Sequence, residues 1–321
     1  DAAMSRTRMS AVALALLLAG CHSPQVDKAP ASLTIPAQWR DGIGPDSPVE
    51  GFWWRNFHDS QLNRFVEQAL RYNSDVLTAR SRIDEYQARV NAADSALWPT
   101  LDASLGVTRA RSQSAATGLP THGTRYQGGL NASYDVDLWG ATRRNIDAAR
   151  LSLAAQKSAA AAADLTVASQ AASGYITLLA LDAQLRITQS TLEARERAYQ
   201  LAKRQYETGY SSRLELMQSD SELRATRAQI PQLQHQIAQQ ENALQVLAGS
   251  LPAPVARGGT FAALTPLPMP SQLPSSLLAR RPDIVQAQQT LLAADSTLAA
   301  SRAKLLTSLS LSASGTYQDD T

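Results

Sequence analysis

Two ladders of apolar residues run through the middle of this chain: Leu178, Leu185, Leu192, Tyr199 and Tyr206, then Leu216, Leu223, Ile230, Ile237 and Leu244. A spacing of seven returns to the same side of an α-helix after two turns, so each ladder is a seam that needs a partner. Between them lies ETGYSS, Glu207 to Ser212, whose glycine breaks both patterns. The pattern predicts an antiparallel helical hairpin over 141–250 with its tip near 207–212. From Asn145 to Thr208 the first arm would extend on the order of 95 Å at 1.5 Å per residue. That length argues against a compact bundle and suits a reach across a periplasm. Pro231 falls inside the second arm, where it is expected to cost a hydrogen bond and bend the helix.

The flanking sequence changes period. Residues 61–99 keep a helical spacing through Leu62, Phe65, Val66, Ala69, Leu70, Leu77, Ile83 and Val90, and Trp98-Pro99 ends it. Over 100–140 the period becomes two. Leu101, Ala103, Leu105 and Val107 alternate with Asp102, Ser104, Gly106 and Thr108. After a Ser/Gly/Pro-rich loop, Tyr126, Leu130, Ala132, Tyr134, Val136 and Leu138 alternate with Gln127, Asn131, Ser133, Asp135 and Asp137. The result is a β-hairpin with one greasy and one polar face. In a soluble sandwich the greasy face would meet another sheet. In an outer-membrane barrel it would meet lipid, and Gln127, Asn131, Ser133 and Asp135 would line a water-filled lumen. Periodicity alone leaves both open, while the rim-like Tyr126 and Tyr134 and an exported location favour lipid.

Export is argued from the N-terminus. Arg6 and Arg8 precede the apolar run Ala11 to Gly20, too short to cross a bilayer but the right size for the core of a secretory signal over 1–20. LAGC, Leu18 to Cys21, follows at once and resembles the bacterial lipobox, so Cys21 is expected to be the lipidated N-terminus, with His22 behind it fitting an outer-membrane destination. That covalent lipid is the only prosthetic group expected. No other segment reaches the roughly 18 apolar residues of a membrane helix, so any further crossing must be made by strands.

The 30 Lys+Arg against 28 Asp+Glu show no basic stripe for a nucleic-acid partner. One cysteine and four dispersed histidines, His22, His58, His122 and His235, argue against a metal site, and neither a phosphate-binding GxxxxGK[ST] nor a GxSxG motif occurs. No catalytic residue is expected.

Residues 21–60 read as an extended linker, with FWWRNF, Phe52 to Phe57, packed as a plug on the body of the protein. Residues 251–275 read as a Pro-rich second linker. An offset of 208 residues then aligns Asp75 with Asp283, Ala92 with Ala300, Leu97 with Leu305, Leu101 with Leu309 and Thr108 with Thr316 without a gap. A second helix is therefore expected over 276–306 and a third strand over 307–321. The fold class is mainly α with a small β part, built as an αββα repeat whose second copy has only begun. A full second copy would need about 136 further residues, so the chain reads as C-terminally truncated.

LAGC, FWWRNFHDSQLNRFVEQALRYNSDVLTAR from Phe52, YDVDLWG from Tyr134, RQYETGYSSRLELMQSDSELRATRAQIPQLQHQI from Arg204 and LPSSLLARRPDIVQAQ from Leu273 together resemble the TolC-like outer membrane channels, in particular their multidrug-efflux lipoproteins. The resemblance implies a homotrimer in which each protomer gives four strands to a shared twelve-stranded barrel and long helices to a periplasmic α-barrel wall. It implies a passive conduit for drugs and toxic small molecules, driven by an inner-membrane pump and joined by a periplasmic adaptor. By the same resemblance Thr208, Gly209, Tyr210 and Ser211 form the adaptor-docking tip and Glu215 links the closed end. The chain departs from the family pattern at Leu306-Thr307, where an aromatic-Pro pair is usual, and in lacking a fourth strand. Nine strands from three protomers would not close in the family's way. Two other readings stay open: a periplasmic coiled-coil structural or adaptor lipoprotein without a pore, and a truncated, non-functional remnant of the channel.

Overall fold

In the computed structural model the described residues are 51–113, 118–266 and 280–320. The expectations for the signal, for Cys21 and for most of the first linker lie outside them. Among the described residues two compact units form, one from 83–156 with 285–320 and the other from 51–82 with 157–266 and 280–284.

The second unit opens with a short 3-10 helix, Trp53–Phe57, which buries Trp54 and packs its aromatic neighbours edge-on. Helix α1, Ser60–Tyr72, follows, started by the Asp59 carboxylate accepting from the N–H groups of Gln61 at 2.8 Å and Leu62 at 3.0 Å. Its buried residues, Leu62, Phe65, Val66 and Ala69, recur at the three-and-four spacing of one helix face. The expected single helix over 61–99 is in fact two. Asn73 adopts φ −62° and ψ 133°, and its side-chain oxygen accepts from the N–H groups of Asp75 and Val76 to start α2, Ser74–Ser95. An Asn side chain offers the backbone a local partner in place of the helical one, so the helix is interrupted and restarted in a single residue.

Helix α3, Ala141–Glu207, is 67 residues long, and α4, Arg213–Leu247, is 35. They run antiparallel, joined by Arg195 with Glu222, by Arg227 with Glu196 at 2.8 Å, and by Gln240 donating to the Gly174 carbonyl at 2.9 Å. A β-carbon at Gly174 would stand 2.8 Å from Leu244 Cδ2, so glycine permits the close approach there. Leu178, Leu223 and Leu244 of the ladders are buried, and Leu185, Leu192, Tyr199, Leu216, Ile230 and Ile237 are half-buried, while Tyr206 at the tip end is exposed. Pro231 sits inside α4 on an exposed position, and the helix continues through it.

The core of this unit is built from Trp54, α1, Val76, the small and apolar face of α3 (Val167, Ala168, Ala171, Ala172, Tyr175, Leu178, Leu179), Leu244, Ala248 and Val255. Each large apolar side chain buried there contributes about 1.5–3 kcal/mol. The stretch after the hairpin, expected as a free linker over 251–275, is tied down through its described part. Val255 N–H donates to Glu241 at 3.1 Å, the Gln245 amide donates to the Ala253 carbonyl at 3.2 Å, and a short 3-10 helix forms at Phe261–Ala263.

In the first unit, α5, Pro282–Ala303, matches α2 in length, with each boundary 208 residues later: Ser74 to Pro282 and Ser95 to Ala303. Strands β1, Thr100–Gln113, β2, Pro120–Val136, and β3, Leu309–Asp320, make an antiparallel sheet in the order β1-β2-β3. Both hairpin strands outrun the alternation read from sequence, because residues 109–113 and 120–125 pair as well. Val90, Ile146, Leu153, Ala293, Ala300 and Ala303 bury the helix faces of this unit, and Arg150 with Asp94 at 3.1 Å links α3 to α2. The Trp139 indole donates to the Thr307 carbonyl at 2.8 Å, tying the exit of β2 to the approach of β3.

Candidate channel face and helical tip

The register sorts the sheet into two chemically distinct faces. Leu101 pairs with Ala132, Ala103 with Leu130 and Val107 with Tyr126, and on the other side Tyr134 pairs with Leu311 and Val136 with Leu309. Paired residues in a sheet point the same way, so these side chains form one apolar face. Among the described residues nothing covers it: Leu105 is 94% exposed, Tyr317 75% and Leu101 73%. Gln127, Asn131, Ser133 and Asp135 all fall on the opposite face, opposite Gly106, Asp102 and Thr100 of β1 and opposite Gln318, Ser314, Ser312 and Ser310 of β3. Thr100 and Ser133 share a hydroxyl hydrogen bond of 2.7 Å across it. Asp137, grouped with the polar face in sequence, lies beyond β2 and accepts from the N–H groups of Thr142 at 3.0 Å and Arg143 at 3.1 Å. It caps α3, satisfying donors a helix start leaves unpaired.

At the tip, Gly209 has φ +75°, a left-handed conformation that L side chains rarely adopt. Its N–H reaches the Tyr206 carbonyl at 3.0 Å while Tyr210 N–H reaches Gln205 at 2.8 Å, the paired bonds of a Schellman cap that ends α3. Thr208 turns its hydroxyl back onto the Arg204 and Gln205 carbonyls. Tyr210 projects into solvent at 85% exposure, with Leu214 and Met217 exposed nearby in the chain. Ser211 has a buried hydroxyl without a partner among the described residues. Ser212 then accepts from Glu215 N–H at 3.3 Å to begin α4. Glu215 thus stands third in the helix of a Ser-x-x-Glu start, where its charge also favours the helix dipole. Sequence reasoning singled out Glu215 for the tip but not this local role, although the Ser212-to-Glu215 spacing carries the signal.

A buried polar junction was not anticipated. The Tyr175 hydroxyl donates to Asp59 at 3.2 Å and accepts from Gly258 N–H at 2.8 Å. A β-carbon at Gly258 would collide with the Asp59 carboxylate. Burial is the main cause that pushes the Tyr175 phenol up to about 12; the Gly258 N–H partly offsets it and the Asp59 charge adds to it. Beside it Arg257 bridges Asp182 at 2.9 Å and Glu241. Burial works against the Arg257 charge, but its hydrogen bonds to the two carboxylates outweigh that and raise its pKa. The junction fastens α1, α3 and the post-hairpin segment together.

Among the described residues no helix is long and apolar enough to cross a membrane, and no cluster of three metal-ligating side chains occurs. The model of the outer membrane efflux protein family matches residues 65–250, which is more than half of the chain. The chain belongs to the outer membrane efflux protein family. It is 30% identical over 316 residues to the probable outer membrane lipoprotein SilC of Salmonella typhimurium, covering 96% of this chain and 68% of that one. It is 32% identical over 324 residues to the pyoverdine export outer membrane protein OpmQ of Pseudomonas aeruginosa, covering 97% and 68%. The crystal structure of the channel CusC matches with a TM-score of 0.75 and 28% identity over 86% of this chain and 67% of that one. This efflux protein therefore spans about two-thirds of the length of these relatives. It is an outer membrane channel component of an efflux system, a conduit rather than an enzyme, with the fold of TolC-like channels.

Proposed function

We propose that this efflux protein forms, with two further copies of itself, a passive conduit for small toxic molecules across the outer membrane. In this reading Gln127, Asn131, Ser133 and Asp135 line the water-filled side of a β-barrel, and the apolar face meets lipid. The α3–α4 hairpin builds tunnel wall, and its tip, Thr208 to Ser211, docks a periplasmic adaptor that links the channel to an inner-membrane pump. Glu215 stands close enough in sequence to the tip to hold its closed state. A lipid on Cys21 anchors the chain, and no other cofactor takes part.

One observation carries the reading. Between Val136 and Tyr126 the sheet exposes an apolar face and, on its other side, a polar face at once, which costs free energy in water on the first and in lipid on the second, and a barrel wall gives each its own solvent. The uncovered, exposed Tyr210, Leu214 and Met217 support a protein contact at the tip. Transport here needs no acid, base or nucleophile, because the work of expulsion is done elsewhere.

The test is single-channel recording in planar bilayers with the purified full chain. Stable, stepwise conductance is expected. A chain that inserts into membranes and yields no steps refutes the conduit.

A further inference from the structure

The apolar face of the sheet changes character beyond Val107 and Tyr126. The same side of β1 continues with Arg109 and Arg111, and β2 places Thr124 opposite the first and His122 opposite the second. Arg109, Arg111 and His122 are exposed. The inward positions of β1 at this level, Thr108 and Ala110, carry no charge, so the cations of this strand all point outward. One carboxylate shares the face, that of Asp319, which pairs with Tyr126 one row nearer the apolar band.

The position of this patch along the strands matters as much as its charge. From Val136 to Tyr126 the apolar face of β2 runs ten residue steps, about 33 Å along the strand and about 25 Å in height at a tilt of roughly 40°. That is the thickness of the apolar band on a membrane barrel. Tyr126 and Tyr317 mark one border of the band, as amphipathic rings do where hydrocarbon gives way to headgroups. The strand ends at Thr100, Val136 and Leu309 run on to α2, α3 and α5, so the cationic row lies at the border remote from the helices. Guanidinium groups match phosphate oxygens in a two-pronged fork, and a leaflet surface supplies phosphate at that height.

We propose that Arg109, Arg111 and His122 form a contact site for anionic, phosphate-bearing lipid headgroups in the leaflet remote from the helices. The inference rests on the reading of the sheet as barrel wall. The site holds this border of the wall at headgroup level, with the tyrosines below it in the hydrocarbon margin.

The test is native mass spectrometry of the full chain in mild detergent, titrated with dilauroyl phosphatidic acid, and with dilauroyl phosphatidylcholine as a zwitterionic lipid of the same tails. Wild type is expected to retain phosphatidic acid in preference to phosphatidylcholine. Arg109→Gln/Arg111→Gln should weaken phosphatidic acid retention at least fivefold, while Arg125→Gln, one row away on the opposite face, should leave it unchanged. Equal retention by the double variant and wild type overturns the proposal, as does an equal loss in Arg125→Gln, which would mark a general charge effect. Urea-resistant association with the outer membrane is measured on the same proteins. Wild type that inserts without lipid preference sinks the headgroup site alone, whereas wild type that fails to insert sinks the barrel reading and the site with it.

Discussion

Tyr175 is the residue on which the second unit's polar interior turns. Its hydroxyl is at once the donor to Asp59 and the acceptor for Gly258 N–H, so removing it takes a partner from Asp59 Oδ2, whose other oxygen still caps α1, and leaves the Gly258 amide without one. An unsatisfied buried group costs about 1–3 kcal/mol, and Tyr175→Phe is expected to lower Tm by about 5–10 °C in thermal melts of the detergent-solubilised chain. The same group sets an alkaline limit. Its phenol is pushed up from 10.0 to about 12 in the folded chain, so the folded state holds the proton more tightly than the unfolded one. The resulting stability is fully present below pH 10 and is lost as the pH climbs to about 12, on the order of 2–3 kcal/mol. Melts from pH 8 to 12 should show that fall in wild type and a flatter profile in Tyr175→Phe. None of this was legible in the sequence, because Asp59, Tyr175 and Gly258 are far apart in the chain and each looks ordinary where it stands. Gly209 is the opposite case, since a glycine between two heptad ladders announces a left-handed helix end with no tertiary information.

At the scale of elements, the helical hairpin and the alternating strands follow directly from periodicity, and their boundaries follow from side chains that compete with the backbone. The break at Asn73 escaped because the apolar spacing of Ala69, Leu70, Val76 and Leu77 carries straight through it. Its signal was the Asn itself, a good helix start placed mid-pattern. Asp137 escaped for a related reason: alternation extends past the end of β2, and only the structure shows the carboxylate turned to the first N–H groups of α3. The two faces of β2 make a paired prediction. Leu130→Arg puts a charge near the middle of the apolar face and is expected to cost about 2–4 kcal/mol of membrane insertion, read as loss of urea-resistant outer-membrane protein. Asn131→Arg, its neighbour on the polar face, should insert normally and shift the conductance towards anions. If both variants insert equally, the sheet does not meet lipid.

For the whole molecule, the repeat is the organising fact. Residues 74–95 and 282–303 form helices of equal length, and each leads into a strand that joins the same sheet, one on either side of β2. The anchor belongs to this scale too. We expect Cys21 to carry the lipid that holds the efflux protein at the membrane. Radiolabelled palmitate should therefore enter wild type and not Cys21→Ala, while the variant keeps its helical content and its three-stranded sheet by circular dichroism. Equal labelling of both removes Cys21 from that role.

Sequence alone determined the period of each segment, the glycine turn, the repeat and the family, because these are properties of neighbours along the chain, where steric and hydrophobic preferences act locally. Tertiary structure decided which strands flank β2, which face stays uncovered, and which polar groups meet in the core. Those depend on pairings between distant residues, such as Tyr134 with Leu311 or Tyr175 with Asp59, whose partner is chosen by packing and hydrogen-bond satisfaction after the local elements exist.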